Sequence, residues 1–348
     1  MDLRSPEIAA DETDASASAE DEFRLLLCAL ADPQAPLPPR DVLLAADPDQ
    51  LFEAIVIQGI EPVSLPKLTR LLPKGPPYFS LLDGVRERQF LANAHCLNLD
   101  AVAKRVKMAL ESARLEAEIV LGSVFAVSLY DKTSDRPYEA IDILVHGNDI
   151  NPISRLLQDE GFVRRGLQLT GRSGLGRTQV WTGNEDPSLC IRLHTSLIGG
   201  AVVRQRVTFG LDEYSIASDE GAHPAVANFM AAMLHATTAG GMRQLQCLVD
   251  VLQALRHLND DDVAHLAVVL PWLQVRPEVL ACVELVGALF GDSSSAYVLQ
   301  RLQPGSQFSM GRRMLSPDSV LGNTAQSGQA VSLRHRMFHV LQAVTPRN

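Results

Sequence analysis

The chain has 348 residues, 46% hydrophobic, 21% charged and 5% aromatic, which is room for two or three structural units and a sizeable core. Its formal net charge of −10 withholds bulk electrostatic support from nucleic-acid or anionic-membrane binding. Five scattered cysteines (Cys28, Cys96, Cys190, Cys247, Cys282) without a C-x-x-C pair argue against a zinc knuckle or a disulfide framework and fit a reducing cytoplasm, no apolar run reaches membrane-helix length, and the acidic N-terminus is unlike a secretory signal.

Residues 1–20 are rich in Asp, Glu, Ala and Ser and read as a disordered acidic tail. Phe23, Leu26, Leu27 and Leu30 predict a short helix that stops before Asp32-Pro33. The Pro-rich stretch 36–39 is a loop. Asp47 and Pro48 open a second helix as cap and first residue, and 73–77 is another loop. Leu99, Val102, Val106 and Leu110 give the apolar stripe of a long helix from about Gly84 to Ala117, which closes an N-terminal helical region at 21–115.

The period then changes. Glu118–Leu121 reads as a strand, Gly122-Ser123 as a turn, Val124–Tyr130 as a short helix and Ile141–Val145 as a second strand. Asp149 or Asn151 can cap a helix that ends at Gly161. Residues 168–170 and 178–181 flank a Gly-rich segment as a hairpin, and Leu189–His194 is a further strand. These runs predict an α/β core at 116–210. From about Ala222 the pattern is again helical, so 211–348 reads as a C-terminal helical domain. The fold class is α+β, a small mixed sheet flanked by two helical regions.

Residues two apart on a strand face one side, so an Asp-x-Asp pair ending at Asp142 would aim two carboxylates at one point, as a two-Mg²⁺ phosphoryl-transfer site requires. Here the first position is Ala140. The order strand, Gly-Ser turn, helix, acidic strand and later strand resembles the core of the polymerase-β-like nucleotidyltransferases. Over about residues 22–260 the chain is similar to one branch, an uncharacterised bacterial nucleotidyltransferase family. Leu121-Gly122 stands where that family has Lys-Gly, and Tyr130 and Arg136-Pro137 match its tyrosine and R-P pair. Asp149, Gly161-Phe162, Leu193-His194, Leu234-His235 and Leu248-Val249-Asp250 match its downstream motifs, while Arg192 replaces the Asp of its D-L-H motif.

The resemblance implies transfer of a nucleoside monophosphate from an NTP with Mg²⁺ as cofactor. It makes Asp142 the catalytic and metal candidate, Gly122, Ser123 and Arg136 the nucleotide-binding candidates, and Arg192 and His194 cleft-lining residues. The departures at Leu121, Ala140 and Arg192 fall on the chemistry and count against Mg²⁺. They favour a catalytically impaired pseudoenzyme that binds a nucleotide, or a protein or peptide partner. The alternatives are an active transferase with acids relocated to Glu139, Asp131 or Asp135, and a non-catalytic interaction subunit of a biosynthetic pathway. Each residue also has a plainer reading: Asp142 a strand-end ion pair, Gly122 a packing glycine, His194 a satisfied half-buried histidine. The cluster Arg164, Arg165, Arg172 and Arg177 could meet phosphates or simply be solvated. One specific expectation is that Arg192 replaces the metal as the cation beside Asp142, gripping it in a fork.

Overall fold

The N-terminal third is helical because its apolar residues recur at helical spacing. In the computed structural model of the protein, residues 21–170, 176–198, 208–238 and 244–302 are described. Residues 21–31 form α1, followed by α2 (Arg40–Ala45), α3 (Pro48–Gln58), α4 (Glu61–Leu71) and α5 (Tyr78–Ala113). Asp47 caps α3 by accepting from the Asp49 and Gln50 amides at 3.0 and 2.9 Å, and Gly59 ends it at φ +66°. α2 and α4 carry no clear periodic signal in the sequence. α2 is only six residues long, and α4 holds Pro62 in its first turn and Pro66 inside. α5 starts six residues before Gly84 and ends four before Ala117. Gly84 does not open it but lies inside, where the Phe52 ring fills the space a Cβ would take, and Arg114 closes it in the left-handed conformation.

Beyond α5 the chain builds a sheet. Its strands are β1 (Ala117–Val120), β2 (Ile141–Val145), β3 (Phe162–Thr170), β4 (Gly176–Gly183) and β5 (Cys190–His194), in the spatial order β1-β2-β5-β4-β3. Only the β2–β5 pair is parallel; the other three pairs are antiparallel. Between the strands lie α6 (Gly122–Ser128), a 3₁₀ turn (Thr133–Asp135) and α7 (Ile150–Asp159). α6 begins two residues earlier than the sequence suggests, and β3 extends back to Phe162. The runs at 118–121, 141–145 and 189–194 thus share one sheet, as their β-branched pattern predicts.

All five residues of β2 are buried, so both faces of the strand are covered. Ile141, Ile143 and Val145 pack with Leu99, Val106 and Leu110 of α5 and Ile153 and Leu157 of α7. Leu144 faces the other way, into a second cluster. That cluster joins α1, α3 and the first turns of α5 to the C-terminal helices α8 (Leu211–Ser218), α9 (Pro224–Thr238), α10 (Leu245–His257), α11 (Asp260–Leu273), α12 (Arg276–Phe290) and α13 (Ser293–Leu302). Asp142 shares the face of Leu144 by strand alternation, which turns it toward the helices from both ends of the chain. The acidic tail 1–20, the hairpin tip at 171–175 with Gly171, Arg172 and Gly174, and the chain after 302 lie outside the described residues. No helix among the described residues is long and apolar enough to cross a membrane.

Candidate functional site

The two strands that carry the candidate chemistry are neighbours, and their register sets the site. In the parallel β2–β5 pair Asp142 lies beside Arg192, and Leu144 beside His194. Ala140, Asp142 and Arg192 all line a cleft of about 550 Å³ between the sheet and the flanking helices. The three positions where the resemblance expects acids therefore do converge on one cavity. Leu121, Gly122, Arg136, Glu139, Arg88 of α5 and His235 of α9 line it too.

Asp142 is buried and has two basic side chains beside it. The closer is His194, whose Nε2 lies 2.7 Å from Asp142 Oδ1. A carboxylate can only accept, so the proton sits on Nε2. The other ring nitrogen, Nδ1, is 3.1 Å from the Thr178 hydroxyl on β4. The second neighbour is Arg192, with Nη1 at 3.6 Å from the same oxygen. The expected Arg192 fork on Asp142 is corrected here: Arg192 makes a single long contact and His194 makes the short bond. The reason is strand geometry. Arg192 is directly abreast of Asp142 and its long side chain runs outward to partial exposure, while the shorter imidazole two residues on reaches across. Burial pushes the Asp142 carboxyl up, but the His194 hydrogen bond and the charges of His194, Arg192 and His235 outweigh it and hold it below the usual carboxylate range.

His194 is packed behind Asp142 and is not among the residues lining the cleft. Gly122 does line it, and a Cβ there would sit 2.6 Å from Tyr138 Cβ, so packing alone requires glycine. The preceding Leu121 takes φ +62°, ψ −131°, a conformation that favours glycine and costs a leucine about 1–3 kcal/mol. Ser123 is off the cleft, its Oγ buried without a hydrogen-bond partner. Arg136 lines the cleft but turns its guanidinium onto Asp250 of α10: Nε lies 2.7 Å from Oδ1 and Nη2 2.8 Å from Oδ2, while Nη1 donates to the Pro137 carbonyl. Tyr130 donates to the same carboxylate at 2.8 Å. The tyrosine, the arginine and the helical aspartate of the resemblance thus form one buried knot.

Two further groups bear on a metal or an anion. Among the described residues, Asp219, His223 and His265 form the one group of three whose ligand atoms lie within 4.8 Å of one another. Asp219 and His223 lie in the turn between α8 and α9 and His265 on α11, and none of the three lines the cleft around Asp142. The two imidazoles stack nearly parallel at 4.5 Å, so their in-plane lone pairs do not converge, and His223 Nδ1 is 2.8 Å from Asp262 Oδ1, leaving Nε2 as its only available ligand atom. A second cavity of about 690 Å³ beside β1 is lined by Glu116, Glu118, Asp212 and Glu220 with His146. That acidic lining is wrong for a polyphosphate. Arg164 and Arg165 are on β3, the edge strand farthest from β1, and do not line the cleft around Asp142. Of the acids proposed as substitutes, Glu139 lines that cleft, and Asp131 and Asp135 do not.

The residues around Asp142 do not fit an Mg²⁺ pair. Of the three expected acids only Asp142 remains, one of its oxygens is taken by His194 and Arg192, and Ala140 offers no ligand atom. The His194–Asp142 bond is not legible in the sequence, since a parallel register places Leu144, not Asp142, beside His194. His235, in the cleft wall, belongs to the Leu234-His235 match, which places it on a helix but does not tell that it faces Asp142. No curated protein and no solved structure matches the chain. A family model described as uncharacterised nucleotidyltransferase matches residues 45–291, more than two thirds of the chain. The chain therefore belongs to that uncharacterised nucleotidyltransferase family.

Proposed function

We propose that the protein is a nucleotidyltransferase-family pseudoenzyme whose cleft binds a nucleoside triphosphate without Mg²⁺. The observation that carries this reading is the state of Asp142. Its carboxylate accepts a hydrogen bond from His194 and has the Arg192 guanidinium at 3.6 Å, and the neighbouring acidic position is Ala140. Arg192 is about one-third exposed, lines the cleft and carries five N–H donors, so it can meet a phosphate as well as Asp142. Arg88 adds a second exposed guanidinium to the lining, paired with Glu61 at 2.8 Å. The cavity volume is within the usual range for a small-molecule site. Gly122 brings backbone close to the cavity, and Arg136 acts indirectly, by holding the loop before β2 against α10.

A second reading is favoured by one residue. Glu139 lines the cleft and is exposed, so a working transferase with a relocated acid would use it beside Asp142. Incubation with radiolabelled NTPs and candidate acceptors separates the two. The pseudoenzyme reading expects nucleotide binding without transfer of label. Mg²⁺-dependent transfer that disappears in both Glu139→Gln and Asp142→Asn would overturn it.

A further inference from the structure

The long helix α5 carries large apolar side chains on both its inward and its outward face. Its inward face supplies Leu81, Leu82, Val85, Leu99, Val102, Val106 and Leu110 to the two cores. Its outward face should be polar, yet Phe79, Phe90, Leu97 and Met108 are 62, 71, 71 and 67% exposed. These four are eleven, seven and eleven residues apart, about 3.6 per turn, so they form one straight line opposite the buried stripe. The line is roughly 40 Å long at 1.5 Å per residue. Single exposed apolar residues are ordinary, but these four share one line, with Asp83, Arg86, Asn93, Ala94, Ala101 and Lys104 between them, so the face alternates apolar and polar contact points about 10–17 Å apart.

The order of residues along the row selects its occupant. An antiparallel partner helix that sets Phe79 against Met108 also sets Phe90 against Leu97, with the two-fold axis between Asn93 and Ala94. The same register faces Lys104 with Asp83, which also pairs with Arg86 of its own helix at 2.6 Å, and Arg86 with Ala101. A surface that pairs apolar with apolar and acid with base when turned on itself is what a two-fold interface requires. We infer that the protein forms a homodimer through antiparallel pairing of α5, with Phe90 and Leu97 at its centre. Eight such side chains, each exposing on the order of 100 Å², bring the interface to roughly 1,000 Å² with its polar flanks, at the lower end for a specific contact. The dimer is accordingly one that dissociates on dilution.

Sedimentation of the full-length protein over a wide concentration range is the experiment, with three variants beside the wild type. The wild type shifts from monomer to dimer as concentration rises. Phe90→Glu with Leu97→Glu weakens association at least about tenfold at unchanged thermal stability, since both residues are exposed. Asp83→Lys weakens it by setting lysine against lysine, and adding Lys104→Asp restores it. That pair of changes reports on the register even if the glutamate variant folds poorly. A wild type that stays monomeric overturns the inference, as does a dimer indifferent to the glutamates or a charge swap without rescue.

Discussion

At the scale of single residues the site is a problem in keeping one buried carboxylate satisfied. Asp142 retains its charge because His194 donates to it and Arg192 stands near, so removing the closer partner leaves an under-compensated buried charge. His194→Ala should therefore cost about 2–4 kcal/mol in urea unfolding. Arg192→Ala, acting on a partly exposed contact at 3.6 Å, should cost under about 1 kcal/mol. Equal costs, or the reverse order, would mean that Arg192 is the principal counter-charge after all. His235 adds a pH dependence. Burial holds its imidazole below the usual histidine range, against the pull of Asp142. Its folded pKa is thus lower than its unfolded value of about 6.5, and the unfolded state binds more protons between the two. Stability from this group is present above about pH 6.5 and declines as pH falls through that window. His235→Gln should flatten the decline in unfolding midpoint between about pH 7 and 5; an unchanged slope would place its origin elsewhere.

At the scale of elements, a buried ion pair ties the segment before β2 to α10. Arg136 precedes β2, Asp250 lies inside α10, and both are buried with Tyr130 between them. Arg136→Met alone strands the Asp250 carboxylate and should cost about 3–5 kcal/mol. Asp250→Leu added to it should recover at least half of that loss in the same unfolding assay, because no bare charge remains. Failure to recover would show that the pair sets local geometry that packing cannot replace. The order of elements was largely legible in the sequence. Alternating β-branched residues mark β2, the apolar alternation of Ile191 and Leu193 marks β5, the Asp47-Pro48 start marks α3, and the switch of period near residue 117 marks the first strand. Element ends were less so: α4 is hidden by its two prolines and α5 by a glycine that proved to be a packing residue. The site was legible in part. Ala140, Asp142 and Arg192 converge because strand alternation and register follow from pattern. Which cation touches Asp142 depends on side-chain reach between strands, which no spacing along one chain encodes.

At the scale of the whole molecule, helices from the two ends of the chain close over one face of the sheet and build the cleft wall. Arg256 of α10 bridges Asp32, just past α1, and Asp292, just before α13, while Lys67 of α4 donates to the Asp32 carbonyl. The cleft is thus framed by contacts far apart in sequence, and what it holds depends on the charge at its floor. A metal-using relative would present carboxylates there; this chain presents Asp142 already matched by His194 and Arg192. A calorimetric titration of ATP or GTP into the protein, in excess EDTA and in excess Mg²⁺, tests that difference most directly. Saturable binding in EDTA, not strengthened by Mg²⁺ and weakened in Arg192→Gln, is the predicted result. Binding that appears only with Mg²⁺, or no binding of either nucleotide in either buffer, would contradict it.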